Sequence, residues 1–436
     1  MTITPTRAGL EAAVVKVTGG RPLTGRIPVQ GSKNIALHLY AATLLVDAPV
    51  VLVGAPDILD TGVCAQILAY TGVHVAADGG RFAVAPAATV CPVIHPELGR
   101  RVRTTVVLAS AVLARAGQVT LPYPGGDAFC PRLIDRHLAA MEAAGAEVTA
   151  DATSIRARCG PGGVQAFTVD VATPYGPSLG ATVTAMLLAA RASGTSLITH
   201  PSVEPEVTET TRFLAECGVG IHFDDQGLHV SGSERIGGGD FTVAGDRIEA
   251  ATMIMAAAAT GGGVHLDGIT AAAFPDGLTA ALSAAGISLT DDGDGGVHAT
   301  PNGPLQGIDV ATGPHPALPT DTAPQLAAML TQAQGPSLIA ERVYPCRDTH
   351  IKGLRAFGAD ISSTGQAISL RGPAHLHAAT AAAQDIRAVT ALLIAALTAE
   401  GTSTIRGMYH LRRGYGHLLA NLATLGADIT ATLEAP

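Results

Sequence analysis

Residues 143–148 read AAGAEV, and the same arrangement returns five more times: YTGVHV at 70–75, ECGVGI at 216–221, AAGISL at 284–289, FGADIS at 357–362 and LGADIT at 425–430. In each, an apolar helical pattern stops at a glycine and a short β-like run follows. Glycine is expected there because a helix commonly closes on a left-handed residue, a conformation that costs any residue carrying a Cβ. Gly72, Gly145, Gly218, Gly286, Gly358 and Gly426 are 73, 73, 68, 72 and 68 residues apart. A period of that length exceeds ordinary solenoid repeats and predicts a unit of several elements. The first five copies continue through a turn to another strand, as in HVAADGGRFAV at 74–84, whereas the sixth meets the C-terminus.

A second helical pattern recurs once per unit: KNIALHLYAATLL (33–45), VRTTVVLASAVLARA (102–116), LGATVTAMLLAARA (179–192), RIEAATMIMAAAA (247–259), DTAPQLAAMLTQA (321–333) and IRAVTALLIAALTA (386–399). Each leads into a turn and an apolar strand such as GTSLIT or GTSTIR, so the unit reads strand, helix, strand, helix, strand, strand. Helices without a polar face must be covered on most sides. These Ala-rich helices are therefore expected inside, wrapped by sheets. Six units predict an α/β fold of two inside-out, barrel-like domains with three βαβαββ repeats each.

Composition agrees. A chain of 436 residues is long for one core, and 47% hydrophobic with 14% charged residues supplies enough apolar surface for two. Aromatics are 3% and Trp is absent, so the cores must be Ala, Val, Leu and Ile. A net charge of −9 argues against nucleic-acid or polybasic membrane partners. No apolar run reaches the roughly 18 residues of a membrane span, and MTITPTRAGLEAA reads as a short disordered tail rather than a secretory signal, so a cytoplasmic location is expected. The cysteines Cys64, Cys91, Cys130, Cys159, Cys217 and Cys346 show no CxxC or zinc spacing and are expected to be mostly reduced and buried.

The starts of the six inner helices carry Lys33, Arg103, Ser178, Arg247, Asp321 and Arg387. Ser178 and Asp321 would serve as ordinary N-caps. Cations are unfavourable at that end of the helix dipole, so Lys33, Arg103, Arg247 and Arg387 in register point instead to a shared anionic ligand.

GSKNIALHLYAATLL at 31–45, PGGDAFCPRLIDRH at 124–137, SLGATVTAM at 178–186, EPEV at 204–207, GDRIEAAT at 245–252, HPALPTD at 315–321, DIRA at 385–388 and YHLRRGY at 409–415 together resemble the enolpyruvyl transferases, in order from about Val17 to Ile429. The resemblance implies one domain at 33–245 and a second formed by 1–32 with 246–436, the active site lying in the cleft. It implies transfer of the enolpyruvyl group of phosphoenolpyruvate to a hydroxyl of a uridine nucleotide with release of phosphate, and no metal or organic cofactor. That chemistry needs a base for the hydroxyl, an acid for C3 and cations for phosphate and carboxylate. By the match, Lys33, Arg103, Arg132, Arg387 and Arg413 face phosphoenolpyruvate, with Lys33 and Arg413 counted among the catalytic groups. Asp321 is the candidate base, provided the closed cleft raises its pKa, or else the N-cap of a helix at 322–333. Asn34, Leu133, Ile134, Asp135, His137, Ser178, Leu179, Gly180 and Val343, with Arg132 and Asp321, are the nucleotide contacts, Asp135 on the uracil ring. Asn34 could equally cap its helix.

Aligning PGG with Arg132, Asp135 and His137 needs no gap and puts Asp127, not Cys130, where many relatives carry a reactive Cys. Asp127 is then the acid for C3 and Cys130 a bystander. A thiolate is alkylated by an epoxide far more readily than a carboxylate, so the resemblance implies insensitivity to fosfomycin. Relatives carry Lys at Gly176, an acidic residue at Pro345, Pro at Leu133 and an acidic residue at Arg412. The acceptor therefore stays open between UDP-N-acetylglucosamine, as in peptidoglycan synthesis, and UMP or another nucleotide, as in nucleoside-antibiotic synthesis. A non-catalytic nucleotide-binding paralogue is the reading from another class, opposed by the joint retention of Lys33, Asp127, Asp321 and Arg413.

Overall fold

The computed structural model describes residues 7–127, 129 and 133–433. All six repeat glycines adopt left-handed backbone, with φ between 90° and 102°. They close the helices Leu59–Tyr70, Asp135–Ala143, Pro205–Glu216, Asp276–Ala284, Ile351–Ala356 and Leu418–Thr424. A strand follows each of them: His74–Asp78, Ala146–Ala150, Gly220–Phe223, Ile287–Asp291, Asp360–Thr364 and Asp428–Leu433.

The described residues fall into two compact units. The first comprises the chain up to Gln30, Asp127 and Phe129, and everything from Gly245; the second comprises Gly31–Gly126 and residues 133 to 244. Each has its own hydrophobic core. In the second unit the core is built on the helices Lys33–Ala42, Thr105–Ala116 and Leu179–Ala189. In the first it is built on Arg247–Ala259, Ala323–Leu330 and Ile386–Thr398. Every residue of Arg247–Ala259 is buried, including its arginine and glutamate. Alanine suits this position because small side chains let helices approach one another while sheets cover their remaining faces.

Among the described residues the first unit carries three four-stranded sheets, and the second carries two four-stranded sheets, one three-stranded sheet and a two-stranded ribbon. Thr24–Pro28, which precedes the Lys33–Ala42 helix, pairs in parallel with Gly263–Asp267. Conversely Gly239–Thr242, which precedes Arg247–Ala259, pairs in parallel with Val50–Val53. Each strand before a crossing thus stays paired in the unit it leaves, not in the unit it leads into. The sixth repeat, which lacks its last strand in sequence, receives Ala13–Thr18, paired antiparallel with both Thr402–Arg406 and Asp428–Leu433. The second repeat shows the opposite defect: its first strand shrinks to a single bridge between Val93 and Thr120.

One expectation is corrected here. Within the presumed disordered tail Arg7–Glu11 forms a short helix, held by burial of Leu10, while residues 1–6 lie outside those described. As expected, most of the described thiols are free and buried: Cys64, Cys159 and Cys217 are buried, Cys91 is half-buried and Cys346 is exposed, while Cys130 lies outside the described residues. No helix among the described residues is long and apolar enough to cross a membrane.

Candidate functional site

In the first unit the candidate residues gather at the start of the Ile386–Thr398 helix. Asp385 caps it, its Oδ1 accepting from the backbone N–H groups of Arg387 and Ala388, both at 2.9 Å. With the cap supplied there, Arg387 is committed elsewhere. One of its guanidinium nitrogens donates to Asp321 Oδ2 at 2.7 Å and another to the Tyr415 hydroxyl at 2.9 Å. Arg347 donates to the other carboxylate oxygen of Asp321 at 2.8 Å and to Thr320 Oγ1 at 3.0 Å. Both arginines are buried, whereas the Asp321 side chain keeps 27% of its surface exposed. The acid is therefore clamped from behind and open in front.

This arrangement overturns two expectations for Asp321. It caps nothing: Thr320–Thr322 is a 3₁₀ turn, and the following helix, Ala323–Leu330, has Thr322 at its N-cap without a side-chain bond. Nor is its pKa raised. Burial acts in that direction, but the guanidinium groups of Arg387 and Arg347 outweigh it and hold the carboxyl well below the usual carboxylate range.

Asp127 reaches the same helix start. Its Oδ2 accepts from the Ile386 backbone N–H at 3.3 Å, and its Oδ1 is ion-paired with Arg413 and lies 3.5 Å from His410 Nδ1. Consecutive residues of one helix, Ile386 and Arg387, thus contact the two candidate acid–base carboxylates. Phe129 packs against Arg347, the guanidinium lying 4.5 Å from the ring centroid, and meets Tyr344 edge-on. Arg347 consequently touches both Asp321 and the short segment that bears Asp127. Val343 is held one layer back, its N–H donating to buried Glu341 at 2.9 Å, and Glu341 also accepts from Thr312 and Thr320.

Arg247 is buried at the first position of its helix, which Asp246 caps. One turn on, burial pushes the Glu249 carboxyl up to about 8, with Asp246 adding to the effect and the Gln30 N–H opposing it. His350, fully buried, is pushed down to about 4 by burial, with Asp385 opposing and Arg347 reinforcing.

In the second unit Lys33 occupies the first position of a helix capped by Ser32 and pairs with Asp60 at 3.0 Å, both side chains less than a tenth exposed. A buried ammonium needs such a partner. Asn34 is not the cap; its backbone carbonyl meets His38 Nδ1 at 2.8 Å. Arg103 precedes its helix rather than starting it and donates to the Leu133 carbonyl at 2.7 Å. Leu133 and Asp135 are exposed, Ile134 is half-buried, and Arg132 lies outside the described residues. His137 is buried, with Nδ1 2.8 Å from Thr184 Oγ1. Its ring packs against Gly180, where an added Cβ would fall 2.8 Å from Cε1 and 2.9 Å from Nε2. That explains the glycine beside Leu179. Ser178 does cap its helix, accepting from the Ala181 N–H at 3.3 Å.

Sequence reasoning missed Arg347, His410, Tyr415, Asp60 and Glu341. His410 and Tyr415 lie within the motif YHLRRGY, and Arg347 lies in VYPCRDTH at 343–350, but nothing in those strings says which side chain turns inward. Asp60 carried no signal beyond being an acid inside an apolar helix.

A profile of the EPSP synthase (3-phosphoshikimate 1-carboxyvinyltransferase) family matches residues 17–422. The UDP-N-acetylglucosamine 1-carboxyvinyltransferase of Zymomonas mobilis is 36% identical over 423 residues, covering 95% of this chain and 98% of the relative. That of Hyphomonas neptunium is 37% identical over 418 residues, covering 95% and 97%. Among solved structures, the enolpyruvyl transferase NikO from Streptomyces tendae superposes with a TM-score of 0.85 at 27% identity, covering 97% of this chain and 99% of its own. An EPSP synthase from Acinetobacter baumannii, 16% identical with a TM-score of 0.75 over 96% and 100%, shares the fold.

Proposed function

Because this chain belongs to the EPSP synthase family of carboxyvinyltransferases, we propose that it transfers the enolpyruvyl group of phosphoenolpyruvate to a hydroxyl of a uridine nucleotide, most directly the 3-hydroxyl of UDP-N-acetylglucosamine. The observation that carries this reading is the pair of carboxylates at one helix start, Asp321 clamped by Arg347 and Arg387, Asp127 paired with Arg413. Asp321 takes the hydroxyl proton as the oxygen attacks C2. Asp127 delivers a proton to C3, giving a tetrahedral adduct with phosphate still on C2. Asp127, now a carboxylate, then takes back a C3 proton as phosphate leaves C2, which restores the double bond. Arg413, Arg387, Lys33, Arg103 and Arg132 are the cations for the phosphate and carboxylate, a task suited to guanidinium forks.

The geometry adds an order of events. An acid must carry a proton, whereas Asp127 is engaged as a carboxylate by Arg413. Phosphate arriving at Arg413 competes for that guanidinium and makes protonation of Asp127 cheaper, so substrate binding itself arms the acid. Asp135, Leu133, Ile134, His137, Ser178, Leu179, Gly180, Asn34 and Val343 belong to the nucleotide side. With a carboxylate in place of a thiol at position 127, alkylation by fosfomycin is not expected.

A second reading keeps the chemistry and changes the acceptor to UMP or another nucleotide. Gly176 and exposed Leu133, which replace a Lys and a Pro on the acceptor side, favour it. Phosphate release from phosphoenolpyruvate, measured separately with UDP-N-acetylglucosamine and with UMP, decides between them. Turnover with the sugar nucleotide is expected; turnover with UMP alone selects the second reading, and none with any uridine nucleotide refutes both.

A further inference from the structure

The strands Gly220–Phe223 and Leu228–Ser231 form an antiparallel hairpin in which His222 and His229 are register partners. Partners across an antiparallel pair leave the same face, and the two imidazoles stack with centroids 4.9 Å apart and planes 5° from parallel. Asp224 opens the turn between them. Its Oδ1 accepts the N–H groups of Gln226 at 2.8 Å and Gly227 at 3.1 Å, which fixes the carboxylate. Its Oδ2 then lies 3.0 Å from His229 Nε2. That approach lacks hydrogen-bond geometry, so Nε2, shielded from solvent, has no hydrogen-bond partner. One ligand atom from each of His222, Asp224 and His229 lies within 4.8 Å of the other two.

We propose that this hairpin binds a divalent transition-metal ion of the zinc class through His222, Asp224 and His229. Two tetrahedral bonds of about 2.0–2.2 Å to one ion set their donor atoms roughly 3.3–3.6 Å apart, close to the 3.0 Å that separates Asp224 Oδ2 from His229 Nε2. An ion between them gives Nε2 the partner it lacks, and rotation of the exposed His222 ring completes a three-ligand set. Two imidazoles and one carboxylate select Zn²⁺, Ni²⁺ or Cu²⁺ over Mg²⁺ or Ca²⁺. The remaining positions open to water, since His222 and Asp224 are exposed. The ion would clamp the two strands beside the four-residue turn Asp224–Gly227 and lock the hairpin register. The other His/Asp group, His265 with Asp267 and Asp292, is already satisfied: Asp292 bonds His265 at 2.7 Å, and Arg26 takes both oxygens of Asp267 at 2.9 Å.

The test is calorimetric titration of the full chain, without any polyhistidine tag, with Zn²⁺ alone. Wild type and His265→Gln are expected to bind Zn²⁺ saturably in the micromolar range. His229→Gln and His222→Gln should each weaken that event at least tenfold, with unchanged circular dichroism because His222 is exposed and His229 is only half-buried. Cu²⁺ loaded in place of Zn²⁺ should show hyperfine coupling to two nitrogens, reduced to one in either variant. Absence of saturable Zn²⁺ binding by wild type, or equal affinity in the His222→Gln/His229→Gln double variant, overturns the assignment.

Discussion

Replacing Asp321 by asparagine preserves shape and removes the charge. The amide can accept through one oxygen only, so one of the two guanidinium groups now faces an NH₂ donor. Two charge-assisted bonds, at 2.8 Å and 2.7 Å, are lost or reduced to a neutral contact. Removing one partner of a buried ion pair costs about 3–5 kcal/mol. Here the carboxylate is 27% exposed, and both arginines keep other partners in Tyr415, Thr320 and Phe129. The lower end, about 3 kcal/mol, is therefore expected, seen as a fall of several degrees in the melting temperature. The effect on turnover is separate. If Asp321 accepts the hydroxyl proton, its loss lowers kcat by about 10²–10⁴ at temperatures where the variant is fully folded. The assay is steady-state phosphate release at 25 °C beside thermal unfolding of the same preparation. A variant that melts earlier but keeps kcat within about threefold of wild type refutes the base assignment and leaves Asp321 a structural clamp.

Three further outcomes are expected. Wild type should keep its activity in fosfomycin, whereas Asp127→Cys should gain a covalent adduct at position 127 by mass spectrometry; an inactivating adduct on Cys130 in wild type would reverse both assignments. Gly180→Ala forces a Cβ against a His137 ring held by Thr184, at about 1–3 kcal/mol, and should raise the KM for nucleotide; His137→Ala in the same chain should recover much of the stability, and strict additivity of the two would count against the contact. His350, folded near 4 against 6.5, binds its proton more readily when unfolded, so its contribution to stability is lost as pH falls from about 6.5 to 4, at most about 3 kcal/mol. Glu249, folded near 8, holds a proton that the unfolded chain releases above about 4.5, so its contribution is present below that pH and lost as pH rises towards 8. Denaturant titrations of His350→Gln and Glu249→Gln should flatten the acid and alkaline limbs respectively, and identical pH profiles in variants and wild type would show that neither group is buried as placed.

The architecture was legible because its signal is backbone chemistry repeated six times. A left-handed glycine after a helix is demanded locally, and Gly72 through Gly426 satisfy that demand with nearly the same φ. Helices such as RIEAATMIMAAAA, with no polar face, admit few placements other than an interior. The pairing of the two strands before the crossings was not legible, because Thr24–Pro28 and Gly239–Thr242 look alike in pattern and only three-dimensional pairing decides which sheet each enters. The same reason hid the completion of the sixth repeat by Ala13–Thr18.

The candidate site divides along the same line. Motif matching located Asp127, Asp321, Arg387 and Arg413, because residue identity at fixed spacing is what a motif records. It misjudged what those groups do to one another. The cations in register at helix starts pointed to an anionic ligand, yet Lys33 pairs with Asp60 and Arg387 with Asp321, both of them the protein's own carboxylates. An anion entering such a site need not find naked cations. It has to compete with an internal carboxylate, and each displaced carboxylate becomes a better base or a more readily protonated acid at the moment substrate arrives. With Asp127 as the proposed acid and Asp321 as the proposed base, their ion pairs with Arg413 and Arg387 would keep both inactive until phosphoenolpyruvate exchanged partners with them, which would tie proton transfer to occupancy.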